Sequence, residues 1–293
     1  MKVRIITGLV CAVVAIAALV FITTPLMGIL CVLMTTMACY EICHVAGVRN
    51  KGMIGVAMVA AAALPPLVEY DVFGRLGVSV LLPILAYVFL QVVLMLADFK
   101  ESKFSDVLFV LLASLAVPSA SSAVLLVRNI IRDMDVGVFE KNLIIYFLFF
   151  TFCCAWFTDT FAYFVGMKFG KHKLCPHVSP KKTVEGAAGG ILLTALANVG
   201  FAALFNLLFL EHHRIQLLTV GLMSIPICIA SIFGDLAAST LKRNFNAKDF
   251  GRLFPGHGGV MDRLDSLSYV APMMFALLQL QYHFGWALFS RVI

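Results

Sequence analysis

Long apolar stretches recur along almost the whole chain, and they leave a lipid bilayer as the only solvent in which it can fold. Nine can be read, over roughly 5–23, 25–43, 53–70, 76–97, 104–127, 143–166, 184–210, 215–236 and 267–289. Each approaches the ~20 residues that cross a hydrocarbon core as a helix. With 61% hydrophobic residues and a mean hydropathy of +0.98, a water-soluble fold could not cover its apolar surface. The fold class is therefore all-α, a polytopic integral membrane protein. The stretch behind Lys2 and Arg4 is followed by no polar mature domain, so it reads as a true span rather than a cleaved leader.

The basic residues then sort by side. With nine spans, 16 of the 22 Lys and Arg fall on the face holding the N-terminus, including Arg49, Lys51, Lys100 and Lys103. The other face has six: Arg75, Arg128, Arg132, Lys141, Arg214 and Arg291. By the positive-inside rule the rich face, and the N-terminus with it, is cytoplasmic. Topology and attraction to anionic headgroups account for the short early loops. They do not account for two long late ones, 167–183 and 237–266. Residues 1–140 thus read as N-terminal membrane helices and 141–293 as a catalytic membrane region. The eight cysteines lack metal-ligand spacing and read as small packing residues.

The first polar cluster begins inside the sixth span, where Asp159 and Tyr163 share a helical face. A carboxylate within a membrane span is costly and points to function. The loop that follows supplies Lys171, Lys173, Lys181 and Lys182, with Ser179-Pro180 setting an extended approach. Glycines at 186, 189 and 190 open the next span and allow close helix packing.

The second cluster is denser. Ser239 to Asp265 holds five cations, three carboxylates, His257 and glycines at 251, 256, 258 and 259, in a chain only 13% charged. If the eighth helix continues beyond the bilayer, Asp235, Ser239, Lys242 and Arg243 lie along one face. The Gly- and Pro-rich stretch 250–259 cannot be regular helix, and its amides can approach an anion. Asp235 and Asp262 offer hard oxygen ligands suited to Mg²⁺, with Asp265 one turn further on. Together these are the parts of a phosphate-handling site at the membrane surface.

The run resembles the signature of the phosphatidate cytidylyltransferase family: S-x-apolar-K-R, four residues, K-D-x-G, then P-x-H-G-G-apolar-x-D-R-apolar-D. Every fixed position is met, at Ser239, Lys242, Arg243, Lys248, Asp249, Gly251, Pro255, His257, Gly258, Gly259, Asp262, Arg263 and Asp265. The upstream loop is similar too, through Asp159, Pro176, Ser179-Pro180-Lys181-Lys182-Thr183 and Glu185-Gly186, with Cys175 a small departure. The resemblance is strong over about 150–270; residues 1–140 match only in being apolar and multi-span.

The resemblance implies that CTP and phosphatidate give CDP-diacylglycerol and pyrophosphate, with Mg²⁺ required and paired metal ions in bacterial members. It further implies a homodimer, in a bacterial inner membrane, with its site facing the cytoplasm; no nucleic-acid partner is expected. The expected catalytic residues are Ser239, Lys242, Arg243, Asp262 and Arg263. Substrate contacts are expected from Lys181, Lys182, Lys248, His257, Gly258 and Gly259, and metal ligation from Asp235, Asp262 and Asp265. On this reading Asp262→Asn abolishes turnover and leaves the chain folded. Two alternatives stand beside it. A CTP-dependent polyprenol kinase would move the γ-phosphate to an alcohol. A transporter would spread polar residues through several helices near mid-membrane.

Overall fold

A computed structural model describes residues 24–133, 140–210, 213–256, 258–284 and 289–291. The first expected span, 5–23, and His257 lie outside the described residues. The helices in chain order are α1 (Leu26–Val45), α2 (Lys51–Glu69), α3 (Val72–Leu76), α4 (Leu81–Ala97) and α5 (Phe104–Leu111). A π turn over Leu112–Ala116 leads into α6 (Val117–Asp133). Then come α7 (Glu140–Phe169), α8 (Val184–Phe209), α9 (Leu217–Asn244), the short α10 (Met261–Leu264) and α11 (Leu267–Phe284). Strands are confined to two small antiparallel pairs. β1 (Lys173–Cys175) pairs with β2 (Ser179–Thr183), and β3 (His213–Ile215) with β4 (Phe289–Arg291).

Among the described residues six helical stretches are long and apolar enough to cross a bilayer: α1, α2, Phe104–Arg132, Lys141–Phe169, α8 and α9. The expected span 76–97 is shorter as a helix. Gly77, at φ 63°, ends α3, and α4 restarts at Leu81 for 17 residues. That is ~26 Å of helix against a core of ~30 Å.

The chain forms two compact units, neither of them a continuous stretch. One joins the described residues up to Leu126 with Lys242–Leu264; the other joins Val127–Leu241 with the described residues from Asp265 onward.

In the first unit α1 packs on α2. Pro25, which needs no amide partner, precedes α1, and Gly47 (φ 75°) ends it as the Val48 N–H returns to the Cys43 carbonyl at 3.1 Å. Asn50 caps α2 by accepting from the Met53 N–H at 3.1 Å, while its amide donates to the Leu94 carbonyl and to Ser102. One side chain thus fixes three segments.

In the second unit α7 and α8 run against each other at close range. A Cβ on Gly190 would lie 2.8 Å from the Thr158 carbonyl oxygen, and one on Gly186 2.7 Å from that of Ala162. The glycines are small because the α7 backbone is already there, as the sequence suggested. Thr183 caps α8 by accepting from the Gly186 N–H at 3.1 Å. Glu185 reaches back to accept the Lys171 and His172 amides at 3.0 and 3.1 Å, pinning the β1–β2 hairpin to the start of α8. The hairpin lysines are therefore held on a braced turn.

Candidate active site

α9 continues through Asn244, so Asp235, Ser239, Lys242 and Arg243 do belong to one helix. The charged residues gather into two centres, one in each unit.

In the second unit, Lys182 on β2 places its ammonium between two carboxylates. Nζ donates to Asp159 Oδ1 on α7 at 3.4 Å and forms an ion pair with Asp235 on α9. Ser239, one turn beyond Asp235, donates to its Oδ1 at 3.4 Å, and Ser266 donates to Asp159 Oδ2 at 3.4 Å. The approach of Ser266 depends on Gly234, where a Cβ would lie 2.8 Å from the Asp265 carbonyl oxygen. Two carboxylates on one ammonium leave a net negative charge. The centre is also more open than its counterpart in the first unit: Asp159 is 42% exposed, Lys182 and Asp235 22% each. Burial alone would lower the Lys182 pKa, but the Asp159 and Asp235 carboxylates outweigh it, and the ammonium is held above its usual range.

In the first unit the arrangement is closed. Lys242 Nζ donates to Asp262 Oδ1 at 2.7 Å, and Asp262 Oδ2 accepts the Phe250 and Gly259 amides at 2.8 and 2.9 Å. The ammonium also lies 5.3 Å from the centre of the Phe250 ring. Both charged side chains are buried. Gly258 sits at φ 82°, and a Cβ there would meet Asp262 Oδ2 at 2.7 Å. Gly256, at φ 79°, and a bridge between Phe254 and Gly258 complete the turn.

A residue that sequence reasoning passed over completes this centre. Glu41, buried on α1, accepts the Val260 and Met261 amides at 3.0 and 2.8 Å. It also explains two signature glycines. A Cβ on Gly251 would lie 2.1 Å from Glu41 Oε1, and one on Gly259 2.3 Å from it. Of the stretch 250–259, expected to face a substrate anion, the Phe250 and Gly259 amides are taken by Asp262, and the next two amides, of Val260 and Met261, by Glu41. The missed signal was available: Glu41 is a carboxylate in an apolar span, the same signal that singled out Asp159.

The other expected residues lie at the surface. Lys181, Arg243, Lys248 and Arg263 are exposed, and Arg243 donates to the Ala247 carbonyl at 3.1 Å. Asp265 Oδ1 accepts the neighbouring Ser266 amide at 2.7 Å. Of the expected metal ligands, Asp235 shares the ammonium of Lys182 with a second carboxylate, Asp159, whereas among the described residues Asp262 has the ammonium of Lys242 to itself. Among the described residues no three acids, histidines or cysteines converge on one point. A pair of carboxylates still suits Mg²⁺, which keeps waters and takes further oxygens from substrate phosphates.

The fold is that of a polytopic helical membrane protein. Its sequence matches the Cytidylyltransferase family over residues 2–281, and the chain belongs to that family. The phosphatidate cytidylyltransferase of Bacillus subtilis (strain 168) is 31% identical over 288 residues, covering 96% of this chain and 98% of that protein. The enzymes of that name from Staphylococcus epidermidis (strain ATCC 12228 / FDA PCI 1200) and Staphylococcus haemolyticus (strain JCSC1435) are 43% and 38% identical over 132 and 134 residues. Those matches cover about half of each chain: 45% and 46% of this one, 48% and 49% of the relatives.

Proposed function

We propose that this protein transfers the cytidylyl group of CTP to phosphatidate, giving CDP-diacylglycerol and pyrophosphate. The observation that carries the reading is the end-to-end similarity to the Bacillus subtilis enzyme, joined to an unbroken signature from Ser239 to Asp265. An oxygen of the phosphatidate phosphate attacks the α-phosphorus of CTP in line. The bond from that phosphorus to the bridging oxygen breaks, and its electron pair leaves with pyrophosphate. The nucleophile is already an oxyanion, so no strong base is required; the protein's work is positioning and charge neutralisation.

Asp235, beside Asp159, is the carboxylate whose surroundings best suit Mg²⁺; when bound, the ion would neutralise phosphate charge. For Asp262 to ligate metal, Oδ1 has to release Lys242. Asp265 and a second metal ion remain part of the reading. Lys182 holds the two acids together and lies where its ammonium could also bind a substrate phosphate, while Asp159 and Asp235 would hold the metal. The exposed Lys181, Arg243, Lys248 and Arg263 bind phosphate oxygens, Arg in bidentate fashion. Ser239 orients Asp235. The protein works as a homodimer in a bacterial inner membrane, with this chemistry on the cytoplasmic side.

The test is pyrophosphate release by the purified protein in detergent, omitting CTP, phosphatidate or Mg²⁺ in turn. Release that needs all three is the expected result. Release of CDP with a lipid alcohol in place of phosphatidate would replace this reading with a polyprenol kinase.

A further inference from the structure

The first unit holds a cavity of about 960 Å³ between the C-terminal half of α1 and the signature segment Ala247–Leu253. Its chemistry is divided. Lys248, Arg252 and His44, all exposed, line it together with the apolar Met37, Tyr40 and Met58. Two carboxylates also face it. Glu41 is turned to the Val260 and Met261 amides, and Asp249 opposes the two cations singly. The lining therefore keeps two exposed cations and an imidazole beside its apolar residues.

The apolar wall does not stop at the cavity. Leu26, Ile29, Leu33, Met37 and Tyr40 are all exposed, and they lead to His44. Steps of three and four residues place them on one face of α1. The opposite face carries the buried Thr35, Ala38, Cys39, Ile42 and Cys43. From Met37 back to Leu26 the helix rises ~16 Å, against ~15 Å for one leaflet of the hydrocarbon core. An exposed apolar face is ordinary on a membrane helix. This one ends at a cavity with cations in its lining, on the segment whose Phe250 amide holds Asp262.

We propose that this track and cavity seat the lipid substrate: the phosphate monoester at Lys248, Arg252 and His44, an acyl chain along Met37, Leu33 and Ile29. The occupant is a single amphiphile with an anionic head, because cations cluster at one end of the track only. The assignment rests on the reading above and gives its lipid a place.

Two measurements test it on the full chain. The first needs no turnover. Phosphatidate carrying a mid-chain diazirine is photolysed with the protein in detergent, and labelled peptides are mapped by mass spectrometry. Labelling concentrated between Leu26 and Tyr40, and competed by unlabelled dioleoyl phosphatidate, is expected. Labelling spread over every exposed helix overturns the track, whether or not the protein turns over CTP.

The second compares KM for dioleoyl and dihexanoyl phosphatidate. Met37→Trp and Leu33→Trp should raise the long-to-short KM ratio about tenfold, as losing roughly two buried methylenes would. Leu222→Trp, exposed on α9, should leave it unchanged. Arg252→Gln should raise KM for both lipids and not for CTP. A ratio unmoved by both tryptophans, or a rise in KM for CTP in Arg252→Gln, sinks the proposal. So does a change of assembly mass in Leu33→Trp, which would give this face to a second copy of the chain.

Discussion

The two lysine–carboxylate centres use the same chemistry to opposite ends. At Asp262 one carboxylate receives an ammonium and two amides, all buried, and its oxygens are filled. At Asp159 and Asp235 two partly exposed carboxylates share the ammonium of Lys182, and Ser239 and Ser266 each donate to one of them. A saturated buried pair resists exchange, because removing one partner strands a charge. A more exposed pair with an excess of acid invites it. On the proposed reading Asp262 serves first as the anchor of the signature loop, and Asp235 is the acid that would offer oxygens to a metal.

The largest effect that would sharpen this contrast is at Asp262. Asp262→Asn turns an amide donor toward Lys242 and leaves that ammonium unpaired, so stability should fall by about 3–5 kcal/mol together with turnover. This departs from the sequence-based expectation of an inactive but stably folded variant, and denaturant unfolding in detergent decides between the two. Asp235→Asn should do the reverse. Pyrophosphate release should fall about a thousandfold, near 4 kcal/mol of barrier, with stability within about 1 kcal/mol, because Asp159 still holds Lys182. Equal stability losses in the two variants would erase the distinction.

A smaller effect tests the Glu41 brace. Gly251→Ala drives a methyl into the Glu41 carboxylate and should cost about 1–3 kcal/mol. In a Glu41→Ala background the same change should cost much less, giving a coupling energy of about 1 kcal/mol or more in a double-mutant cycle. Additive losses would mean that the glycine answers to something else. For Lys182 the folded pKa lies above its ordinary value near 10.5. Its ion pairs are therefore fully present below that pH and are lost only as pH rises through the higher folded value. Stability measured to pH 10 should show no basic loss that Lys182→Gln removes. The smallest effect is expected at the exposed Arg49–Glu101 pair, 3.4 Å apart, where Glu101→Gln should change stability by at most about 0.5 kcal/mol.

The signature was legible because it is local: thirteen fixed positions within 27 residues need no fold to be recognised. The close packing of α7 on α8 was legible as well, since glycines at 186 and 190 announce a near backbone. What the sequence concealed was occupancy. Gly251 and Gly259 look alike whether their missing side chains make room for a substrate or for Glu41. Asp262 looks the same as a metal ligand or as a loop anchor. For the glycines only Glu41, more than two hundred positions away, distinguishes the cases, and periodicity carries no information over that distance; for Asp262 the deciding partners are the Lys242 ammonium and the Phe250 and Gly259 amides, whose approach depends on the loop's folded path.

That distance has a consequence for how the protein comes into being. The contacts of Glu41 with Val260 and Met261 span 219 and 220 residues, so one of the first helices to leave the ribosome supplies the brace for one of the last loops. A nascent chain can carry every letter of the signature and still have no assembled loop until α1 has docked against it. Competence in this unit is thus an end-of-synthesis event, and a chain released without α1 would present the motif with its Val260 and Met261 amides unmet.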